Sequence, residues 1–166
     1  FGCSYYIGKL MFSYIQSRYY RAPEVVFGFE YGPEIDIWSL GCVLCEMVTG
    51  QPIFPAEDEV ELMQMLVEIL GPPPLEIVKS APRAHYYFDK DGNLIPQPNS
   101  KGLLHTPSSI TLSQATRIKD PLFLSLLNGC LKWNPAERLT AETFLQHQWV
   151  QQKMNSAEEP SQSARA

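Results

Sequence analysis

The side chains best able to do chemistry in this chain are four cysteines, three histidines and one dense acidic turn. Cys42 and Cys45 form a C-x-x-C, the spacing of a redox pair or of half a zinc site. Only Cys3 and Cys130 remain, and no second Cys/His pair stands at ligand spacing. Both Cys42 and Cys45 also fall in an apolar run, where a thiol packs as a small hydrophobe. Asp89-Lys90-Asp91-Gly92-Asn93 opens like a calcium loop, but Ser100 occupies the position where a twelve-residue loop is closed by an acid. The segment therefore reads as a turn. His85, His105 and His147 lie far apart and read as surface or packing residues. No G-x-S-x-G, H-E-x-x-H, P-loop or G-x-G-x-x-G occurs. No catalytic centre and no metal site is expected from these residues.

The elements that carry them are helical. Residues 35–49 are apolar almost all round, which predicts a buried helix that starts near Asp36 and stops at Gly50. Residues 57–70 form the clearest amphipathic helix, with Leu62, Met65, Leu66, Ile69 and Leu70 at helical spacing and acids in the first turns. Gly71 and Pro72 to Pro74 end it. Two further helices are expected at 121–132 and 140–149; Pro121 suits a first turn, and Thr140 with Thr143 looks like an N-cap arrangement. Residues 81–117 hold four prolines and read as an irregular insertion with little core of its own. Residues 1–24 read as an ordered aromatic loop. The Ser, Glu, Gln and Ala composition beyond residue 150 predicts a disordered tail at 151–166. The fold class is mainly α.

Bulk composition narrows the function. The chain has 166 residues, 45% of them apolar, and a net charge of −5. An acidic balance disfavours nucleic acid as a partner, because counterion release needs a basic face. The longest apolar stretch, from Ile37 to Val48, contains Glu46 and falls short of the roughly 20 residues of a membrane span. No secretory h-region opens the chain, so membrane association is not expected, and a cytoplasmic or nuclear location is. Phe1 stands where Met is usual, which reads as the start of an excerpt.

One set of motifs is specific. Phe1-Gly2, then Ala22-Pro23-Glu24, then Asp36-Ile37-Trp38-Ser39-Leu40-Gly41, and finally Arg138 in Asn-Pro-Ala-Glu-Arg follow one another along the chain. Together they resemble the C-terminal lobe of a eukaryotic protein kinase, with Phe-Gly as the end of D-F-G. The run Ser13-Tyr14-Ile15-Gln16-Ser17-Arg18-Tyr19-Tyr20-Arg21-Ala22-Pro23-Glu24 is similar to the dual-specificity tyrosine-regulated (DYRK) kinases. Pro55 to Glu59 and Lys119 to Leu124 agree with that placement; the homeodomain-interacting kinases are the nearest rival.

The resemblance implies a partial kinase domain over 1–150, truncated at the activation segment. Residues 1–24 would be that segment, and 25–150 the helical lobe with its insertion at about 81–117. It implies that Glu24 and Arg138 meet as a buried ion pair. Asp36 would accept backbone N–H bonds from the catalytic loop, at the head of a central helix that also carries Trp38 and Gly41. Tyr14 matches the family's self-phosphorylated tyrosine, and Arg18 and Arg21 would hold its phosphate. Phe12 replaces a second tyrosine. Gln16, Ser17 and Arg18 would shape the pocket for the residue after the phosphoacceptor, with a preference for Pro, and Ser17 would bond towards the catalytic loop.

The parent kinase would use ATP and Mg to phosphorylate Ser and Thr of protein substrates. The glycine loop, the phosphate-binding lysine, the catalytic loop and the Asp of D-F-G would lie before Phe1. Alone, then, the chain is expected to be inactive and to need the N-terminal half of the domain as its partner. The alternative is a non-catalytic remnant or pseudokinase that serves as a protein-interaction module.

Overall fold

A computed structural model describes residues 15–158. Helices dominate, and among the described residues the only strand-like pairing is a single antiparallel bridge between Phe88 and Leu94. Among the described residues the first element is a 3-10 turn at Arg18–Tyr20. Helix α1 (Pro23–Phe27) follows, with Pro at its first position, and Gly28 ends it at φ 77°.

The long helix α2 (Glu34–Thr49) is closed by Gly50 at φ 74°, whose N–H reaches the Glu46 carbonyl at 2.7 Å. A residue with a Cβ resists that left-handed conformation, so Gly stops the helix at low cost. Helix α3 (Glu59–Leu70) starts where the Asp58 carboxylate accepts the Glu61 N–H at 2.8 Å. Helix α4 (Leu75–Ser80) comes after the proline run. Helix α5 (Leu112–Thr116) carries a full Thr111/Gln114 capping box. Asp120 caps helix α6 (Pro121–Cys130) by accepting from Leu122 and Phe123 N–H groups.

The core is built around α2. Trp38 is wholly buried and stacks on Phe54 at 6.2 Å. Gly41 lies against α6 so closely that an added Cβ would stand 2.8 Å from Cys130 Cβ and 3.1 Å from Leu131 Cδ2. A side chain there would separate the two helices, which explains glycine in mid-helix despite its propensity cost. Among the described residues, no helix is long and apolar enough to cross a membrane.

Three parts differ from the sequence expectation. The 140–149 helix is two helices, α7 (Ala141–Gln146) and α8 (Gln148–Glu158). His147 breaks them with an extended backbone, and its ring Nδ1 accepts the Trp149 N–H at 3.2 Å. That bond supplies the cap for a new helix. Thr143 does complete a capping box with Thr140, its hydroxyl accepting the Thr140 N–H at 2.9 Å.

Helix α8 continues through 151–158, inside the segment whose composition predicts a disordered tail. Its first turn is tied down: Trp149 stacks on Phe123 at 4.5 Å, and its indole N–H donates to Asp120 at 3.1 Å. Lys153 lies over the same indole.

The 81–117 insertion also contributes to the core. Tyr87, Phe88 and Leu112 are buried, and both aromatics pack against Phe27 of α1. The Arg83 N–H donates to the Phe27 carbonyl at 3.0 Å, so the insertion is fastened to the first helix by backbone as well.

Candidate substrate-binding site

The site is the strip from Ile15 to Glu24, laid across the start of α2. Gln16 holds it in place. Its backbone is left-handed (φ 66°), a conformation a glutamine adopts only when its surroundings enforce it. The enforcement is explicit. The Gln16 side-chain amide donates to the Ile35 carbonyl (2.9 Å) and to the Ser39 hydroxyl (2.7 Å), and its side-chain oxygen accepts the Ala22 N–H (2.9 Å). Ser39 in turn donates to the Tyr20 carbonyl at 2.9 Å.

Arg21 completes the arrangement from beneath. It is 1% exposed. Its Nε donates to the Ile15 carbonyl (3.0 Å), Nη2 to the Gln16 carbonyl (2.8 Å) and Nη1 to Glu59 (2.8 Å). The Gln16 carbonyl is therefore turned inward and engaged, so it is not presented to a ligand lying on the strip. Arg18 is half-buried and donates to the Ala56 and Glu57 carbonyls, while its Nε finds no hydrogen-bond partner among the described residues. Ser17 is exposed and its side chain makes no capping bond.

The far end of the strip is pinned through α1. Arg138 grips Glu24 in a bidentate pair, Nη1 to Oε1 at 2.7 Å and Nη2 to Oε2 at 2.9 Å. Both side chains are buried, 0% and 3% exposed. Arg138 also donates to the Glu34 and Lys132 carbonyls at 2.7 and 3.0 Å, and its guanidinium lies 5.3 Å from the centre of the Trp38 ring. One cation thus joins α1, the start of α2 and the turn before α7. These extra bonds are what a desolvated pair requires to be held without a large penalty.

The remaining sequence candidates fall as follows. Ala22 and Pro23 are buried beside Glu24, and Trp38 and Gly41 belong to the core of α2. Asp36 is exposed in the first turn of α2. Tyr14, Phe1 and Gly2 lie outside the described residues. Ser39, Glu59 and the Tyr20–Glu46 pair, with the tyrosine hydroxyl donating at 2.6 Å, are parts of the site that sequence reasoning missed. That bond to a carboxylate, with burial, raises the Tyr20 pKa above its ordinary value.

The C-x-x-C takes no part in the strip. Cys42, Cys45 and Cys130 are free and buried, and burial pushes the Cys45 and Cys130 thiols up to about 12 and the Cys42 thiol well above its usual value. Such thiols are poor nucleophiles. Among the described residues no group of three or more His, Cys, Asp or Glu side chains is arranged to hold a metal ion.

The protein kinase domain family matches residues 1–150. The chain is 44% identical over 150 residues to serine/threonine-protein kinase ppk5 of Schizosaccharomyces pombe, covering 90% of this chain and 18% of that protein. It is 43% identical over 155 residues to the DYRK-family kinase pom1 of the same yeast, covering 93% of this chain and 14% of that one. With dual specificity tyrosine-phosphorylation-regulated kinase 4 of Homo sapiens it shares 40% over 160 residues, 96% of this chain and 31% of the relative. The chain thus spans less than a third of the length of each of these relatives. With the pinned strip, the buried Glu24–Arg138 pair and these matches together, the chain belongs to the protein kinase domain family, and these relatives within it are DYRK-family and related serine/threonine kinases.

Proposed function

We propose that this chain is the substrate-facing helical part of a protein kinase that transfers the γ-phosphate of ATP to Ser or Thr of proteins. Its own contribution is to seat the peptide. The observation that carries this reading is the engaged carbonyl of Gln16. A peptide residue following the phosphoacceptor would bring its N–H to that position and find no acceptor, leaving a desolvated donor at a cost of about 1–3 kcal/mol. Proline has no N–H and avoids the loss. The strip therefore selects Pro after the acceptor.

Tyr14 directly precedes Ile15, whose carbonyl is held by Arg21. A phosphate on Tyr14 would add about −1.5 to −2 charge for Arg18, whose Nε has no hydrogen-bond partner among the described residues, and would compete with Glu59 for the buried Arg21. Self-phosphorylation there would fix the segment that leads into the pocket.

ATP and Mg would supply the phosphoryl group and its charge neutralisation in the parent. The residues described here offer no carboxylate cluster fitted to Mg, so no step of phosphoryl transfer is assigned to them. The 166-residue chain alone is inactive on this reading, and the N-terminal half of the domain is its necessary partner. The interaction-module alternative has no separate observation in its favour.

The test uses the parent kinase containing this chain and two Ser peptides that differ only in Pro or Ala after the acceptor. Expected is a kcat/KM at least about tenfold higher for the Pro peptide, the factor that 1.4 kcal/mol represents. Equal values would overturn the pocket assignment, and no transfer to either peptide would favour the non-catalytic alternative.

A further inference from the structure

The outer face of α3 is covered by a strap, residues 99–109, which has no helix or strand of its own. Side-chain bonds to three carboxylates anchor it. The Asn99 amide donates to Glu61 at 2.8 Å. Ser100 donates to Glu57 from its hydroxyl at 2.7 Å and its N–H at 3.3 Å. His105 is buried between two acids, with Nδ1 2.8 Å from Glu68 and Nε2 3.5 Å from Glu61. The Ser109 hydroxyl donates to Glu68 at 3.2 Å. The face beneath the strap is strongly negative, and the strap's donors offset it.

Between those anchors stands Thr106, exposed and followed by Pro107. It is the one Ser or Thr in all 166 residues that precedes a proline. Two backbone bonds shape the turn around it, Ser109 N–H to the Thr106 carbonyl at 3.2 Å and Ser108 N–H to the Val67 carbonyl at 3.1 Å. Ser108 sits at φ 56°, a strained position for a residue with a side chain. Opening this turn to the extended form a kinase needs breaks two bonds and relieves that strain.

We propose that Thr106 is a phosphoacceptor for proline-directed Ser/Thr kinases, and that its phosphate releases the strap from α3. The Thr106 Oγ1 would attack the γ-phosphorus of ATP bound to the acting kinase. The new Oγ1–P bond forms as the β–γ bridging P–O bond breaks, ADP leaves, and the hydroxyl proton passes to that kinase's base. The product carries about −1.5 to −2 charge next to His105, whose Nδ1 is bonded to Glu68 and whose buried Nε2 stands 3.5 Å from Glu61 with no hydrogen-bond partner among the described residues. The phosphate repels those carboxylates and competes for the imidazole. The proposal stands apart from the function proposed above, because the acting kinase need not be this chain's parent.

The 166-residue chain is incubated with a mitogen-activated protein kinase and MgATP, and the modified residue is located by fragmentation mass spectrometry. Amide exchange over 99–109 is then compared before and after modification. Expected is one phosphate on Thr106, absent in Thr106→Ala and at least about tenfold slower to form in Pro107→Ala, with exchange of the strap at least about tenfold faster once modified. In unmodified His105→Ala, exchange of the strap rises in the same way, which isolates the latch from the chemistry. No phosphate on Thr106 would overturn the site. Unchanged or slower exchange in the phosphorylated chain would overturn the release, and unchanged exchange in His105→Ala would overturn the latch.

Discussion

At the scale of single residues, two positions explain why particular side chains were needed. Gln16 takes a conformation usually left to glycine, because its amide has three partners that a glycine lacks. The resemblance marks Gln16 as a pocket residue, but no local pattern marks its left-handed backbone; that signal arises only when Ser39 and Ile35 of α2 come to face it. Gly41 is the opposite case, a residue chosen for having no side chain. Gly41→Ala would place a Cβ 2.8 Å from Cys130 Cβ, an atom fixed close to its own backbone. Overpacking of this kind costs about 1–3 kcal/mol, and the helix-propensity gain of Ala offsets only part of it. Chemical denaturation should show the midpoint falling with the slope unchanged. An equal or higher midpoint would mean that α2 and α6 are not in close contact. The Glu24–Arg138 pair was legible only through the resemblance, since 114 residues separate the partners and no local rule joins them.

At the scale of elements, what could be read followed strength of pattern. Helices α2, α3 and α6 were legible because each has a capping or stopping residue and enough apolar positions. Helices α4 and α5 were not: at 6 and 5 residues they are too short to show a period. The insertion looked coreless because Tyr87 and Phe88 are adjacent, with neither a helical nor a strand spacing, yet both are buried against Phe27. His105 seemed partnerless because its acids lie on α3, 37 residues or more before it.

The strap makes a pH prediction. Burial opposes the charge on Glu61, but bonds from the Glu57 N–H, Asn99 and His105 outweigh it and hold its carboxyl below the usual value. A carboxylate depressed in the fold adds stability that is complete above its unfolded value, about 4.3, and is lost as pH falls through the folded value. Amide protection over 99–105 should therefore weaken as pH drops below about 4, and Glu61→Gln should remove that acid-sensitive part. Protection that stays flat across this range in the unmodified chain would contradict the role given to Glu61.

At the scale of the whole molecule, a single cation organises the lobe. Arg138 reaches Glu24 at the end of the Ile15–Glu24 strip, the first turn of α2 through the Glu34 carbonyl, and the turn after α6 through Lys132. The strip can hold Gln16 in a strained state because its far end is fixed to the helical base. A double-mutant cycle with Glu24→Gln and Arg138→Met, read by chemical denaturation, tests this most directly. Each single change strands a buried partner and should cost about 3–5 kcal/mol, while the double change should cost clearly less than their sum. Additive losses, or singles below about 1 kcal/mol, would show that the pair does not lock the strip to the lobe.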